Sequence, residues 1–272
     1  MNLDLERNAS SWLIDTHAHL DDTRLKSDLD GVLSRARAAG VGQVVVIATS
    51  ADDSESIVEL VGPRPGLFAA VGIHPNDLTQ CREGDWERIK ALTKREKVVA
   101  LGETGLDRFR DDTPFAMQIE WFHRHLDLAK ERDLPVVIHC RNSEDDILGC
   151  LEQLGRPVRG ILHSFTGTWE HAARFLDVGL HISFAGMVTF ENKSLDPLRD
   201  VSVRVPDDRI LVETDSPYLS PHPFRGRTNE PQRVATTAAL LASLRGIGVA
   251  EFAAMTTNNA RRLFRIPDDD LI

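Results

Sequence analysis

The stretch Trp12-Leu13-Ile14-Asp15-Thr16-His17-Ala18-His19-Leu20 opens on a short apolar run and closes on two histidines one residue apart. Trp12–Asp15 is read as a buried strand, which places the histidine pair at the strand's C-terminal end. Along an extended chain alternate side chains face the same way, so His17 and His19 can share one ion. The same grammar recurs downstream. Glu103 follows Val99-Ala100-Leu101-Gly102, His139 follows Val136-Val137-Ile138, His163 follows Ile161-Leu162, and Asp215 follows Leu211-Val212-Glu213-Thr214.

Outward from these points, short apolar runs alternate with helical stretches, the pattern of a parallel sheet joined by right-handed crossovers. The expected strands are Trp12–Asp15, Gln43–Ala48, Leu67–Gly72, Val98–Gly102, Val136–Ile138, Gly160–Leu162, Leu180–Ser183 and Ile210–Val212. Most are continuous apolar runs, as buried parallel strands should be. Expected helices include Ser27–Ala39, closed by Gly40, and Thr113–Arg132, with Pro114 in the first helical position and Pro135 beyond the end. A last helical region begins near Asn229, runs to Arg245 and restarts after Gly248, with Ala253, Leu263 and Phe264 as packing residues. The 272 residues suit a single (β/α)8 TIM barrel of about 250 residues. One barrel domain over residues 1–272 is therefore expected, with its active site at the C-terminal ends of the strands. The longest irregular stretch, Ser216–Glu230, is stiffened by Pro217, Pro221 and Pro223 and is a functional loop by its length.

In such a barrel the strand ends converge on one face, so residues distant in sequence meet there. A single histidine or aspartate at a strand end reads as a core or cap residue. Six at equivalent places, His17, His19, Glu103, His139, His163 and Asp215, read as metal ligands. Imidazole and carboxylate donors suit zinc, manganese and magnesium alike. A carboxylate can bridge two ions about 3.5–4 Å apart, and Glu103 is the candidate bridge.

Composition narrows the class. Hydrophobic residues make up 42% and charged residues 27%, as in ordinary globular proteins. No run of about 18 apolar residues exists, and Met1–Ser11 is polar, so a cytoplasmic protein without a membrane span is expected. Three cysteines, Cys81, Cys140 and Cys150, without CxxC spacing indicate neither a disulfide framework nor a thiolate zinc site. A net charge of −10 argues against a broad basic face for nucleic acid. Anionic substrates stay open, because divalent ions bring their own positive charge.

Six ordered motifs then carry a resemblance: DTHAHL (Asp15–Leu20), VGIHP (Val71–Pro75), GETGLD (Gly102–Asp107), PVVIHCR (Pro135–Arg141), HSFTG (His163–Gly167) and ETDSPYLSP (Glu213–Pro221). RGRTNEP (Arg225–Pro231) and the closing Asn259–Phe264 extend it over nearly the whole chain. In these the sequence resembles the TatD family of metal-dependent deoxyribonucleases, barrel members of the wider amidohydrolase-like group. The resemblance implies two divalent ions, magnesium, manganese or zinc. His17, His19, Glu103 and Asp215 would hold one, and Glu103, His139 and His163 the other. It implies that His74 and Arg141 face substrate phosphate, and that DNA is cleaved from a 3′ end, with single strands or 3′ ends as the substrate of a monomeric enzyme. Arg108 departs from the tyrosine usual after GLD, which bears on how a base or phosphate is received at the rim. His125 departs from the glutamine common in that helix.

The chemistry expected of this set is attack of an ion-activated water on phosphorus. Asp215 orients the water or takes its proton, Glu103 bridges the ions, and Arg141 holds phosphate oxygens. Arg225 and Arg227 add contacts from the stiff loop, and Tyr218, the one tyrosine, is a further substrate contact. The bland counterpart for Arg141 is an ion pair with Glu144 or Asp145, and for His74 a turn histidine beside Pro75. His123, His125, His171, His181 and His222 are assigned to surface or packing, Arg261-Arg262 to a solvated helix face, and Trp12, Trp86, Trp121 and Trp169 to packing. Two rival functions share the scaffold: a metal-dependent deacylase, lactonase or esterase, for instance on an aminoacyl-nucleic acid, and a non-catalytic interaction scaffold with structural metal.

Overall fold

Runs such as Val44-Val45-Val46-Ile47 place β-branched residues side by side, and in the structure they are buried on both faces, the condition under which parallel strands are stable. The structure is a computed structural model and describes residues 12–272; the reading of Met1–Ser11 lies outside the described residues. Eight strands pair in sequence order: β1 (Leu13–Ala18), β2 (Val41–Ile47), β3 (Leu67–Val71), β4 (Val98–Asp107), β5 (Val136–Arg141), β6 (Gly160–Leu162), β7 (Leu180–Phe184) and β8 (Ile210–Val212). Every neighbouring pair is parallel. Beyond β8 the chain returns to β1 through a parallel bridge between Ser216 and Ala18. There the Asp215 N–H donates to His17 O at 2.9 Å and the His19 N–H to Ser216 O at 2.7 Å. The sheet is thus a nearly closed (β/α)8 barrel.

Alternation along the strands makes two cores. Ile14, Val45, Ile47, Phe68, Val137, Ile161 and Leu211 point inward and are plugged from the N-terminal end by Leu263 and Phe264 of the last helix. The other faces pack against surrounding helices, where Phe122, Phe175, Phe184 and Phe252 are fully buried. No single helix among the described residues is long and apolar enough to cross a membrane.

β6 and β8 have the expected bounds, whereas β1, β4 and β5 run on past theirs, to Ala18, Asp107 and Arg141. The reason is physical: apolar continuity ends where side chains begin to line a polar site, but the backbone ladder does not. Glu103 consequently lies within a strand, not after one. The helix expected over Ser27–Ala39 is a turn at Thr23–Lys26 followed by Leu29–Ala38. Pro114 precedes the helix Phe115–Arg132 as its N-cap, with ψ 130°, and is not its first helical residue. The final region comprises Val234–Arg245 and Val249–Phe264, with Ala253, Leu263 and Phe264 buried as expected.

Candidate metal centre

Inward positions on the strands continue upward into one cluster. On β5, Val137 fills the barrel and His139 lies two residues above it; Ile161 and His163 relate likewise, as do Leu211 and Glu213, while Asp215 follows β8 with φ +55°. Glu103 reaches the same level because β4 shifts register between Leu101 and Thr104. Its flanking glycines allow this. Gly102 has φ +146°, and a Cβ there would stand 2.6 Å from the Val137 carbonyl oxygen. Gly105 has φ +142°, and a Cβ there would collide with the carbonyl oxygen of His139.

The six proposed ligands meet. His17 Nε2 lies 3.2 Å from His19 Nε2, 3.5 Å from Glu103 Oε2 and 3.6 Å from Asp215 Oδ1, and His19 Nε2 is 3.6 Å from the same Asp215 oxygen. Glu103 Oε1 turns the other way, to His163 Nε2 at 2.8 Å and His139 Nδ1 at 2.9 Å. Donors about 2.1 Å from an ion at tetrahedral angles sit roughly 3.4 Å apart, so the first group has the spacing of a coordination shell. The Glu103 carboxylate offers one oxygen to each group.

The charges are those of a site that favours a cation. Burial opposes ionisation of Glu103, but the His163 and His74 imidazoles and hydrogen bonds from His139 and His163 hold its carboxyl well below the usual range. Burial also opposes charge on His163, yet Glu103 and Glu213 raise its pKa well above the ordinary value. His139 is raised against burial by Asp107 and Glu103, and His19 is raised to about 9 against burial by Asp215 and Glu103. The acids thus favour positive charge at these nitrogens, which a proton or a divalent cation can supply in competition. His17 is pushed the opposite way by burial and by His163, which leaves a neutral imidazole.

His74 joins this cluster, its Nε2 3.6 Å from Glu103 Oε1 and its ring centroid 4.5 Å from that of His139. Burial first, and His139 and His163 beside it, push its pKa down to about 3. Its Nδ1 accepts the Asn76 N–H at 3.1 Å. The proton of the neutral ring therefore sits on Nε2, and His74 faces the cluster as a hydrogen-bond donor and not as a lone pair for a metal.

The remaining candidates sit on the rim. Arg141 makes no ion pair among the described residues, with Glu144, Asp145 or any other acid; its guanidinium carbon lies 3.8 Å over the Phe109 ring. Arg225 is exposed and stacks 4.1 Å over Phe190. Tyr218 is 50% exposed, its centroid 6.2 Å from that of His19, with Arg24 4.6 Å above its ring. Neither Arg225 nor Tyr218 belongs to the donor cluster. Arg108 is tied to Asp146 at 2.6 and 2.7 Å and lies 3.7 Å over Phe115, so it does not reach out free from the rim. Trp169 opens the helix Trp169–Asp177 and carries Arg204 at 4.1 Å, a packing role.

Two buried acids had no assigned role in the sequence. Asp107 Oδ2 lies 3.1 Å from His139 Nε2, and Glu213 Oε1 lies 3.3 Å from His163 Nδ1 while accepting the Ser164 N–H at 2.8 Å. For Glu213 the available signal is its spacing of two from Leu211, whose side chain fills the barrel. Elsewhere, Asp15 joins β1 to the end of β8 by accepting from Thr214 N and Thr214 Oγ1 at 2.8 and 2.6 Å, and Asn229 holds the proline-rich loop through Thr214 O at 2.9 Å. These contacts account for the structural part of the DTHAHL and RGRTNEP motifs.

An eight-stranded parallel barrel with histidines and acids gathered at the C-terminal mouth defines a class, the metal-dependent hydrolases. Within that class the chain belongs to the TatD-related DNase family, whose model matches residues 14–265. It is 41% identical to the uncharacterized metal-dependent hydrolase YabD of Bacillus subtilis, over 93% of this chain and 99% of that one. It is 34% identical to the 3′-5′ ssDNA/RNA exonuclease TatD of Erwinia billingiae, over 94% of this chain and all (100%) of that one. The crystal structure of YJJV, a TatD homologue from Escherichia coli, superposes with a TM-score of 0.88 at 35% identity, covering 95% of this chain and 100% of that chain. The protein is a metal-dependent hydrolase that uses divalent metal, and its clustered imidazoles and carboxylates are the candidate ligands.

Proposed function

We propose that the protein is a 3′-5′ exonuclease that hydrolyses phosphodiester bonds of single-stranded DNA at a two-ion centre. The observation that carries this reading is the division of Glu103, with Oε2 3.5 Å from His17 and Oε1 2.8 and 2.9 Å from His163 and His139. His17, His19, Glu103 and Asp215 would hold one ion, and Glu103, His139 and His163 the other. Divalent cations bound there would make water more acidic and offset phosphate charge. The name of the Erwinia relative supports nucleic acid as the substrate.

The side chains divide the remaining work. Asp215, 15% exposed against 4% for Glu103, is the ligand acid that solvent reaches most easily, and it takes the proton of the attacking water. As the water oxygen bonds to phosphorus, the bond to the leaving 3′ oxygen breaks. His74 donates its Nε2–H to a non-bridging oxygen, and Arg141 offers two parallel N–H groups to the phosphate. Arg225 and Tyr218, on the rim, contact the chain beyond the reacting phosphate.

Digestion of end-labelled single-stranded DNA and RNA with magnesium, manganese or zinc, beside a His139→Ala control, tests the proposal. A ladder shortening from the 3′ end, absent in the variant, is expected. Turnover of p-nitrophenyl acetate with no cleavage of any oligonucleotide would overturn it in favour of an esterase.

A further inference from the structure

Phe109 is 61% exposed, more than any other large hydrophobic side chain among the described residues. It is not exposed through looseness. Asp107 Oδ1 accepts the Phe109 and Arg110 N–H groups at 2.7 and 3.0 Å, while Oδ2 of the same carboxylate contacts His139 Nε2 at 3.1 Å. The Arg108 N–H donates to Arg141 O at 2.9 Å, and the Arg108 side chain is fastened to Asp146. One carboxylate therefore fixes the backbone that carries Phe109 relative to a ligand of the proposed metal centre, and Arg141 packs on the ring itself.

Arg141 stands two residues after His139 on the same face of β5, and its guanidinium covers one side of the Phe109 ring at 3.8 Å. It makes no ion pair among the described residues. The other aromatic–arginine stack close to the histidines, Arg24 over Tyr218, differs: Arg24 is held by Asp22 at 2.9 and 2.7 Å, so its charge is already matched. At the mouth of an acidic chain, a fixed bare ring beside an unmatched cation suits a ligand with a flat apolar face joined to an anion.

Resting on the nuclease reading above, we infer that Phe109 forms, beside Arg141, the subsite for a nucleobase next to the scissile phosphate: the base stacks on the open side of the ring while Arg141 takes that phosphate. Every base has such a face, so the subsite tolerates any sequence, but a base paired and stacked in a duplex cannot present it. It selects unpaired ends.

The test uses metal-loaded protein and oligothymidylates with a base-free tetrahydrofuran residue at the terminal, penultimate or third position from the 3′ end. For the wild type, KM is expected to rise about 10-fold when the base is missing at one of these positions. Phe109→Ala should show the same rise on the intact oligomer and none further on that base-free one, with kcat changed less than about 2-fold. Phe109→Trp should restore the wild-type KM. Wild-type KM in Phe109→Ala, or losses that multiply in the doubly altered pair, would overturn the subsite while leaving the nuclease standing. A wild type that cuts none of the oligomers would remove both readings.

Discussion

Asp107 meets His139 through the ring nitrogen that Glu103 leaves free: Asp107 Oδ2 is 3.1 Å from Nε2 and Glu103 Oε1 is 2.9 Å from Nδ1. With Nδ1 turned to the donor cluster, Nε2 carries the proton and donates a hydrogen bond to Asp107. His163 is arranged the same way with its nitrogens exchanged, Nε2 to Glu103 at 2.8 Å and Nδ1 to Glu213 at 3.3 Å. His19, by contrast, backs on the Ile47 carbonyl at 3.0 Å. Carboxylates behind an imidazole fix its tautomer and raise its basicity toward a cation.

Asp107→Asn should therefore weaken divalent metal binding by about 10- to 100-fold without unfolding the barrel. Competition of the protein against a chromogenic chelator, with circular dichroism as the control for folding, measures this. Metal affinity within a factor of about 2 of wild type would show that Asp107 merely packs.

Asp215→Asn separates proton transfer from coordination, because the amide keeps an oxygen for the cation but accepts a proton far less readily. A loss in kcat of about 100-fold or more is expected with metal content retained, the usual scale for a missing general base. The comparison needs nuclease rates and metal analysis on the same preparation, and equal kcat would remove Asp215 from the proton's path.

Much of this was legible in the sequence, for identifiable reasons. Strands such as Val136-Val137-Ile138 are apolar on both sides, so their place in a parallel sheet follows from burial alone, and the barrel brings His17, Glu103, His139, His163 and Asp215 into one mouth. Strand ends were not legible where β4 continues through Glu103 to Asp107, because inward polar side chains hide a ladder that depends on backbone groups. The same polarity hides Asp107 and Glu213: an acid within the donor cluster and an acid behind one of its histidines look alike in sequence. Local spacing suggests Glu144 or Asp145 as an ion-pair partner for Arg141, whereas its partner is Phe109, an aromatic contact that no local spacing announces.

The glycines give a paired prediction of opposite sign. Gly105 has φ +142° and no room for a Cβ against the His139 carbonyl, so Gly105→Ala must push β4 from β5. A loss of more than about 2 kcal/mol is expected. Gly149 lies inside the helix Glu144–Gln153 with nothing within 4 Å of an added Cβ. Gly149→Ala should therefore stabilise, by roughly 0.5–1 kcal/mol. Urea unfolding of both variants decides the matter, and equal midpoints would contradict the account of strand approach.

The last prediction concerns acid. His125 is fully buried, its Nε2 accepting the Ile73 N–H at 3.2 Å and its Nδ1 donating to Trp121 O at 2.7 Å, an arrangement that a neutral ring satisfies completely. Burial pushes its pKa down to about 4 from 6.5, against a partial rise from the Trp121 carbonyl. Between those two values the unfolded chain holds a proton that the folded chain refuses, so stability is intact above pH 6.5 and falls as the pH drops toward 4. At about 1.36 kcal/mol per unit the loss is on the order of 3 kcal/mol. His125→Gln cannot titrate, so the stability of wild type relative to this variant, from urea midpoints at equal metal loading, should decline over that interval and level off below it. A difference that stays constant from neutral to acid would mean that His125 does not hold the segment before His74 as a neutral ring.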